Sequence, residues 1–229
     1  MRGVTTPADD TAQAFFQAIH RGDGDTAAQL LDEHPDLGWA RSPSGLSPVL
    51  FAAYYGRQDI AHRLVQRGVP VSVYEAAATG MTNFVTACLD ENAALVDEFS
   101  PDGFQLVGLA AFFGHEGTVR ALLARGANVN TPSGNAMQVR PLHSAAAGSH
   151  TGVALALIEA GADVNARQHG GFTALMSAAQ NGNEELVAAL LAAGADASAR
   201  TDDGRTALDL AQEAQQAGAA RLLEANARP

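Results

Sequence analysis

Few side chains in this sequence have the type and spacing that metal binding requires. Gly22-Asp23-Gly24-Asp25 places two carboxylates close together, as a calcium loop does, but no glutamate closes the loop and a helical pattern follows at once. Asp23 is therefore predicted to cap a helix rather than to bind a cation. No two histidines are four residues apart and no Cys/His cluster occurs, so we expect no metal site and no cofactor.

Motifs for nucleophilic catalysis are also missing from the sequence. There is no Gly-x-Ser-x-Gly sequence, no glycine-rich phosphate loop and no activated Cys/His pair. The single cysteine, Cys88, aligns with leucines at helix-core positions and is predicted to be a buried thiol. An enzyme with an unfamiliar site would need convergent titratable groups, and none can be assembled. The sequence therefore predicts no catalytic residue and a protein that is not an enzyme.

The chain is organised around short helix pairs, seen most clearly in the stretch 171–204. Leu175, Ala178 and Ala179 recur at helical spacing, and a second apolar stripe follows between 186 and 191. Gly182 can end the first helix and Asn183 can cap the second. Two such helices cannot bury both apolar faces by themselves, so similar units must stack on each side.

Such units recur along the chain. The segments 47–53, 140–146 and 173–179 share one motif, and Arg140-Pro141-Leu142-His143-Ser144-Ala145 nearly matches the Thr-Pro-Leu-His-x-Ala signature of ankyrin repeats. The segments 126–130 and 161–165 resemble the Gly-Ala-Asp-Val-Asn turn of that family. The resemblance covers nearly the whole chain and implies an all-α fold, an ankyrin-repeat α-solenoid of stacked helix-turn-helix units with short hairpin-like finger loops.

The repeat boundaries follow from small residues spaced mostly 33 to 35 apart. One spacing is 24, so the third repeat is predicted to begin its helix at Val73 and to lack a finger. The expected organisation is a disordered tail (1–7) and a single array (8–229) of seven repeats: 8–41 as N-terminal cap, 42–72, 73–99, 100–139, 140–167, 168–200, and 201–229 as C-terminal cap. The loop 131–139 is expected to be mobile.

The sequence also repeats with a longer period of 58 residues, which covers two repeats. Shifting the sequence by 58 residues places Leu31-Asp32-Glu33 on Leu89-Asp90-Glu91, and Ala52-Ala53-Tyr54-Tyr55-Gly56 on Ala110-Ala111-Phe112-Phe113-Gly114. The first two repeats thus resemble a pair copied to make the next two. This alignment predicts the same local structure in both copies.

Composition limits the kinds of partner. The net charge is −11, which argues against nucleic acid and anionic lipid because both require a basic patch. The chain opens MRGVTTPADD, without an apolar run resembling a signal peptide, and no later run is long enough to span a bilayer. The sequence predicts a cytoplasmic monomer.

The ankyrin resemblance also implies where binding occurs. Ankyrin proteins usually bind partners on a concave face lined by finger tips and by exposed positions near the end of each first helix. Four aromatic residues occupy these normally polar positions, and two aromatic walls about 16–20 Å apart across a shallow trough are expected. The predicted protein-binding residues are Tyr54, Tyr55, Phe112, Phe113, Leu46, Phe104, Phe172, His20, Arg21, Gln180 and Asn181.

Other roles for these residues remain open. The four rings could instead fill the space beside the small third repeat and be buried. His143 occupies the Pro-Leu-His position, where the resemblance implies a backbone hydrogen bond between repeats rather than catalysis. We expect a scaffold that binds a protein with a basic or neutral surface. The alternatives are a small-ligand binder in the aromatic trough and a homodimeric structural protein.

Overall fold

The computed structural model describes residues 7–226, and within them helices alternate with loops and no strand occurs. The predicted disordered tail, 1–7, lies outside the described residues except for Pro7, which begins the first helix. The chain divides into two compact units, the first ending at Met81 and the second beginning at Thr82. None of the described helices is both long and apolar enough to cross a bilayer. An all-α repeat fold, as predicted, is confirmed.

From residue 7 on, where the described part of the chain begins, the first unit, unit 1, contains five α-helices and one 3-10 helix. They are α1 (Pro7–Arg21), α2 (Gly24–Glu33), the 3-10 helix Pro35–Trp39, α3 (Pro48–Tyr54), α4 (Gln58–Gln66) and α5 (Val73–Ala78). α5 begins without a preceding finger, as the short spacing predicts.

The second unit, unit 2, continues the alternation of first and second helices. Its elements are α6 (Thr82–Glu91), the 3-10 helix Ala93–Val96, α7 (Leu106–Phe112), α8 (Glu116–Leu123), α9 (Pro141–Ala147), α10 (Thr151–Glu159), the 3-10 helix His169–Gly171, α11 (Ala174–Gln180), α12 (Glu184–Ala192), α13 (Ala207–Glu213) and α14 (Ala217–Asn226).

Local capping residues explain where the helices begin. Asp23 caps α2 by accepting a 3.0 Å hydrogen bond from the Thr26 amide, which confirms the predicted N-cap. Thr206 and Asp209 form a reciprocal capping box at the start of α13. Pro48 occupies the first turn of α3, where its missing amide hydrogen costs no helical hydrogen bond.

Each unit buries an apolar core between first and second helices, made of aliphatic residues and alanines with added phenylalanines in unit 1. In unit 1 the largest fully buried side chains are Phe15, Ile19, Ile60 and Leu64. In unit 2 they are Leu106, Leu122, Leu157, Leu175, Met176, Leu186, Leu190 and Leu210.

The prediction that Cys88 belongs to the core is wrong. On α6 the buried stripe consists of Val85 and Leu89, four residues apart on one side of the helix. Cys88 lies one helical position before Leu89 and is only half-buried.

The 58-residue duplication is reproduced in local structure, as predicted. α2 and α6 both span ten residues, and their bounds differ by 58 positions at each end. α3 and α7 show the same offset. The fingers agree in detail, because Ser42 Oγ accepts from the Leu46 amide and Ser100 Oγ accepts from the Phe104 amide, both at 3.1 Å.

The loop 131–139, expected to be mobile, is held by hydrogen bonds. The Ser133 amide donates to the Val139 carbonyl at 2.9 Å, and the Val139 amide donates to Ser133 Oγ at 2.9 Å. The Gly134 amide donates to the Gly103 carbonyl at 2.7 Å, which ties the loop to the preceding finger.

Candidate functional site

The two predicted aromatic pairs lie in different units, and the first ends α3 in unit 1. Tyr54 is 51 % exposed and Tyr55 is 46 % exposed. The Tyr55 ring packs edge-on against the His20 ring, with centroids 4.4 Å apart, and is tilted against Phe51 at 4.6 Å. Tyr55 thus connects the core of unit 1 to its surface.

The second pair ends α7 in unit 2. Phe112 is 43 % exposed, whereas Phe113 is half-buried. Their rings meet edge to face with centroids 5.0 Å apart. Since none of the four predicted rings is buried in the core, the alternative that they only fill space inside the fold is wrong.

The predicted finger residues are less accessible than Tyr54, Tyr55 and Phe112. Leu46 is half-buried and packs against the unit 1 core. Phe104 and Phe172 in unit 2 are also half-buried.

The predicted polar residues are exposed but partly engaged in holding helix ends. The Asn181 Nδ2 atom donates to the carbonyls of Ala146 at 3.2 Å and Ala147 at 3.0 Å. Arg21 Nε donates to the Gln17 carbonyl at 3.3 Å. Gln180 is exposed at the end of α11.

A groove in unit 1 adds residues that the sequence interpretation missed. It has a volume of about 730 Å³. The residues that line this unit 1 groove are Ala12, Gln13, Phe16, Gln17, His20, Arg41, Pro43, Ser44, Phe51 and Tyr55. Only His20 and Tyr55 were predicted as binding residues. The spacing of Phe16 and Phe51 indicated core positions, and nothing in the sequence pairs them with Arg41.

The groove has an aromatic floor. Phe16 and Phe51 meet edge to face at 5.0 Å and are 5 % and 9 % exposed. Tyr55 and His20 continue this row of rings toward the surface. Such a row can accept apolar side chains of a partner, because aromatic faces and edges pack favourably against both aliphatic and aromatic groups.

His143 has the structural role that its position implied. Its side chain is 2 % exposed, its Nε2 atom lies 3.0 Å from the Ala166 carbonyl oxygen, and its Nδ1 atom accepts from the Arg140 amide at 3.3 Å. With one nitrogen accepting, the imidazole is neutral and donates through Nε2. Burial lowers its pKa, which favours this neutral form.

The other titratable side chains in the described part of the chain do not cluster into a group that could act together in metal binding or catalysis. No group of three or more His, Cys, Asp or Glu residues among the described ones could hold a metal ion. Partial burial raises the pKa of the Cys88 thiol and so disfavours the nucleophilic thiolate. The hydrogen bond from Arg205 holds the pKa of Asp203 at about 2, which keeps this exposed carboxylate ionised.

Comparison with protein families gives two matches. A model described as ankyrin repeats in three copies matches residues 73–168, and one described as ankyrin repeats in many copies matches residues 157–211. Together they span more than half of the chain. No curated protein matches the chain.

Proposed function

The chain belongs to the ankyrin repeat family, and we propose that it is a scaffold that binds a partner protein through the ends of its first helices and its fingers. Ankyrin repeats are generally protein–protein interaction modules and are typically not enzymes. The more specific part of the proposal is the set of residues that bind the partner protein.

The observation that carries this proposal is the exposure of large aromatic rings at the ends of α3 and α7. Tyr54, Tyr55 and Phe112 are each between 43 % and 51 % exposed. Burying an aromatic side chain removes on the order of 150–250 Å² from water, and such residues dominate the energetics of interfaces. Polar residues at the ends of first helices and apolar residues in the fingers would add further contacts within each unit: His20, Arg21 and Leu46 in unit 1, and Gln180, Asn181, Phe104 and Phe172 in unit 2.

Charge supports a partner with a basic or neutral surface. The chain carries a net charge of −11, so long-range attraction would speed association with a basic partner at low salt, and a neutral partner would not be repelled. We further propose that the chain acts by binding alone, as a monomer, with no catalytic step. A small-ligand site would instead require enclosure of most of the ligand. The exposure of Tyr55, His20 and Arg41 along the unit 1 groove favours a peptide over such a ligand.

Affinity capture with a matched variant tests the proposal. The tagged full chain and a Tyr54→Ser/Phe112→Ser variant are used as baits on a lysate of the source cells, and captured proteins are retested in purified form. We expect a direct partner whose affinity falls at least about 30-fold in the double variant, since truncating a hot-spot aromatic costs about 2 kcal/mol or more.

The control is Phe84→Ser, which removes a ring that is 40 % exposed on α6, a second helix. It should leave partner affinity unchanged. A partner that binds the double variant as tightly as the wild type would contradict the proposed surface. Sedimentation of the chain alone at micromolar concentration distinguishes the scaffold from a homodimer, which would appear as a doubled mass.

A further inference from the structure

We propose that the unit 1 groove binds an extended partner segment in which a bulky apolar side chain lies next to a carboxylate. This inference rests on the proposed protein-binding function and specifies the ligand chemistry of one part of that surface. It is carried by the combination of an aromatic floor with the guanidinium of Arg41 beside it.

The floor of the groove fits one bulky apolar side chain. Phe16 and Phe51 form its base and are held by their edge-to-face contact, and Tyr55 rises from the base with 46 % of its surface exposed. Ala12 leaves room beside them. An aromatic or long aliphatic side chain entering here would contact rings that are already fixed, so little conformational entropy would be lost on the protein side.

The wall of the groove carries the guanidinium of Arg41, whereas the chain as a whole is acidic. Arg41 and His20 line the groove, and among residues 10–226, whose side chains the structure describes, no acidic side chain lines it, although the chain carries a net charge of −11. Arg41 makes no ion pair with any carboxylate in the described part of the chain. Asp10, about one turn before Gln13 on α1, is exposed and does not line the groove. A guanidinium so placed can donate two parallel hydrogen bonds to one carboxylate.

The polar residues around the floor suit an extended main chain. Gln13 and Gln17 of α1 and Ser44 of the finger all line the groove, so it offers both amide and hydroxyl groups. Ser44 Oγ is 2.9 Å from Ser42 Oγ, which holds the finger wall in place. Side-chain amides and hydroxyls can both donate to and accept from peptide groups.

Local and global charge then act at different ranges. The overall negative field disfavours a strongly acidic partner, whereas one carboxylate in contact with Arg41 interacts at short range, where salt screens the attraction less. The fitting occupant is thus a partner of neutral or basic surface that carries a single apolar–acidic segment.

Three synthetic peptides test this specificity on the full-length chain. Each is an acetylated and amidated octapeptide of glycine and serine with one central phenylalanine, flanked on both sides by glutamate, by glutamine or by lysine. Dissociation constants are measured by NMR titration of the isotope-labelled protein. We expect the glutamate peptide to bind about fivefold more tightly than the glutamine peptide, and the lysine peptide to bind most weakly.

Substitution of the arginine separates the charge contact from the apolar contact. Arg41→Gln should lower the affinity for the glutamate peptide to that for the glutamine peptide and leave the latter unchanged. The control Arg221→Gln removes an exposed arginine of α14 that lies outside the groove, and it should change neither affinity.

Three results would overturn the inference: equal affinities for the glutamate and glutamine peptides, a preference that persists in Arg41→Gln, or no binding of any peptide. Failure here is distinguishable from failure of the proposed function, because the Tyr54→Ser/Phe112→Ser test changes no residue that lines the groove. A partner that is lost in that test would preserve the scaffold even if every peptide failed.

Discussion

The Nε2 atom of His150 lies 3.1 Å from the carbonyl oxygen of Phe112. His150 immediately precedes α10, whereas Phe112 ends α7 in the repeat before it. The imidazole ring fills the space above two glycines, since a Cβ atom added at Gly114 or at Gly148 would lie 2.5 Å from one of its atoms. The contact therefore fixes the helix end that carries an exposed aromatic ring.

Unit 1 contains the same arrangement with a different side chain. Arg57, which precedes α4, donates through Nη2 to the carbonyl of His20 at 3.1 Å near the end of α1. In both units a side chain from the following repeat thus satisfies a helix carbonyl that has no partner within its own helix.

Replacing the histidine should destabilise unit 2. His150→Ala removes a hydrogen bond and leaves a gap between two helix ends, so we expect the free energy of unfolding to fall by about 1–2 kcal/mol. Urea denaturation monitored by circular dichroism measures this change. His150→Gln retains a side-chain donor and should lose less.

A double-mutant cycle with Gly114→Ala checks the steric part of this contact. The single variant should destabilise unit 2, because the new Cβ atom meets His150 and because Gly114 has φ of +80°, where an alanine is strained. In the His150→Ala background the cost should be smaller, since only the backbone strain remains. Additive effects would contradict the proposed packing.

Stability should depend on pH through His143. Burial places its folded-state pKa below the ordinary value of 6.5. The neutral form therefore contributes stability that is fully present above about pH 6.5 and is lost as pH falls through 6.5 toward the folded-state pKa. Unfolding free energies between pH 7.5 and 5 should fall more steeply for the wild type than for His143→Gln. Equal slopes would show that His143 is protonated as readily in the folded chain as in the unfolded one.

Asp203 should titrate near pH 2 in the folded protein. The Arg205 hydrogen bond, supported by the Thr201 hydroxyl, lowers its pKa from 3.8 to about 2. This ion pair therefore contributes stability above about pH 4 that is lost as pH falls toward 2. NMR titration of the side-chain carboxyl carbon measures the midpoint directly. Arg205→Gln should move the midpoint toward 3.8, and an unchanged midpoint would assign the shift to another cause.

The duplicated fingers should respond equally to loss of their serine hydroxyls. Ser42→Ala and Ser100→Ala each remove the acceptor of a buried or half-buried backbone amide, so each should lower stability by about 1 kcal/mol. Ser100→Thr should retain most of the stability, because Thr201 accepts from the Arg205 amide in the same way at 3.0 Å. Thermal unfolding checks all three variants. A larger loss in Ser100→Thr than in Ser100→Ala would contradict this equivalence.

The fold could be predicted because its determinants are local. Helix starts depend on nearby capping residues such as Asp23 and Asn183, and helix ends depend on glycines within a few positions. The 58-residue period predicted matching bounds for α2 and α6 for the same reason. Cys88 was misplaced because its alignment with leucines in other repeats does not specify the exact rotation of α6.

The candidate site could be predicted only in part. The sequence identified Tyr54, Tyr55 and Phe112 as aromatic residues at unusual positions, and the structure exposes them. It could not identify the groove, because Phe16 and Phe51 have the spacing of ordinary core residues. A buried ring and a groove floor have the same sequence pattern.

The sequence by itself thus determined the repeat, the order of the helices and the presence of aromatic residues at normally polar helix positions. Each of these features depends on residues within one or two turns. Only the tertiary structure decided that Arg41 and His20, 21 positions apart, line one groove over Phe16 and Phe51. Stacking of neighbouring repeats brings these side chains together, and the resulting contacts depend on packing angles and rotamers that no local pattern encodes.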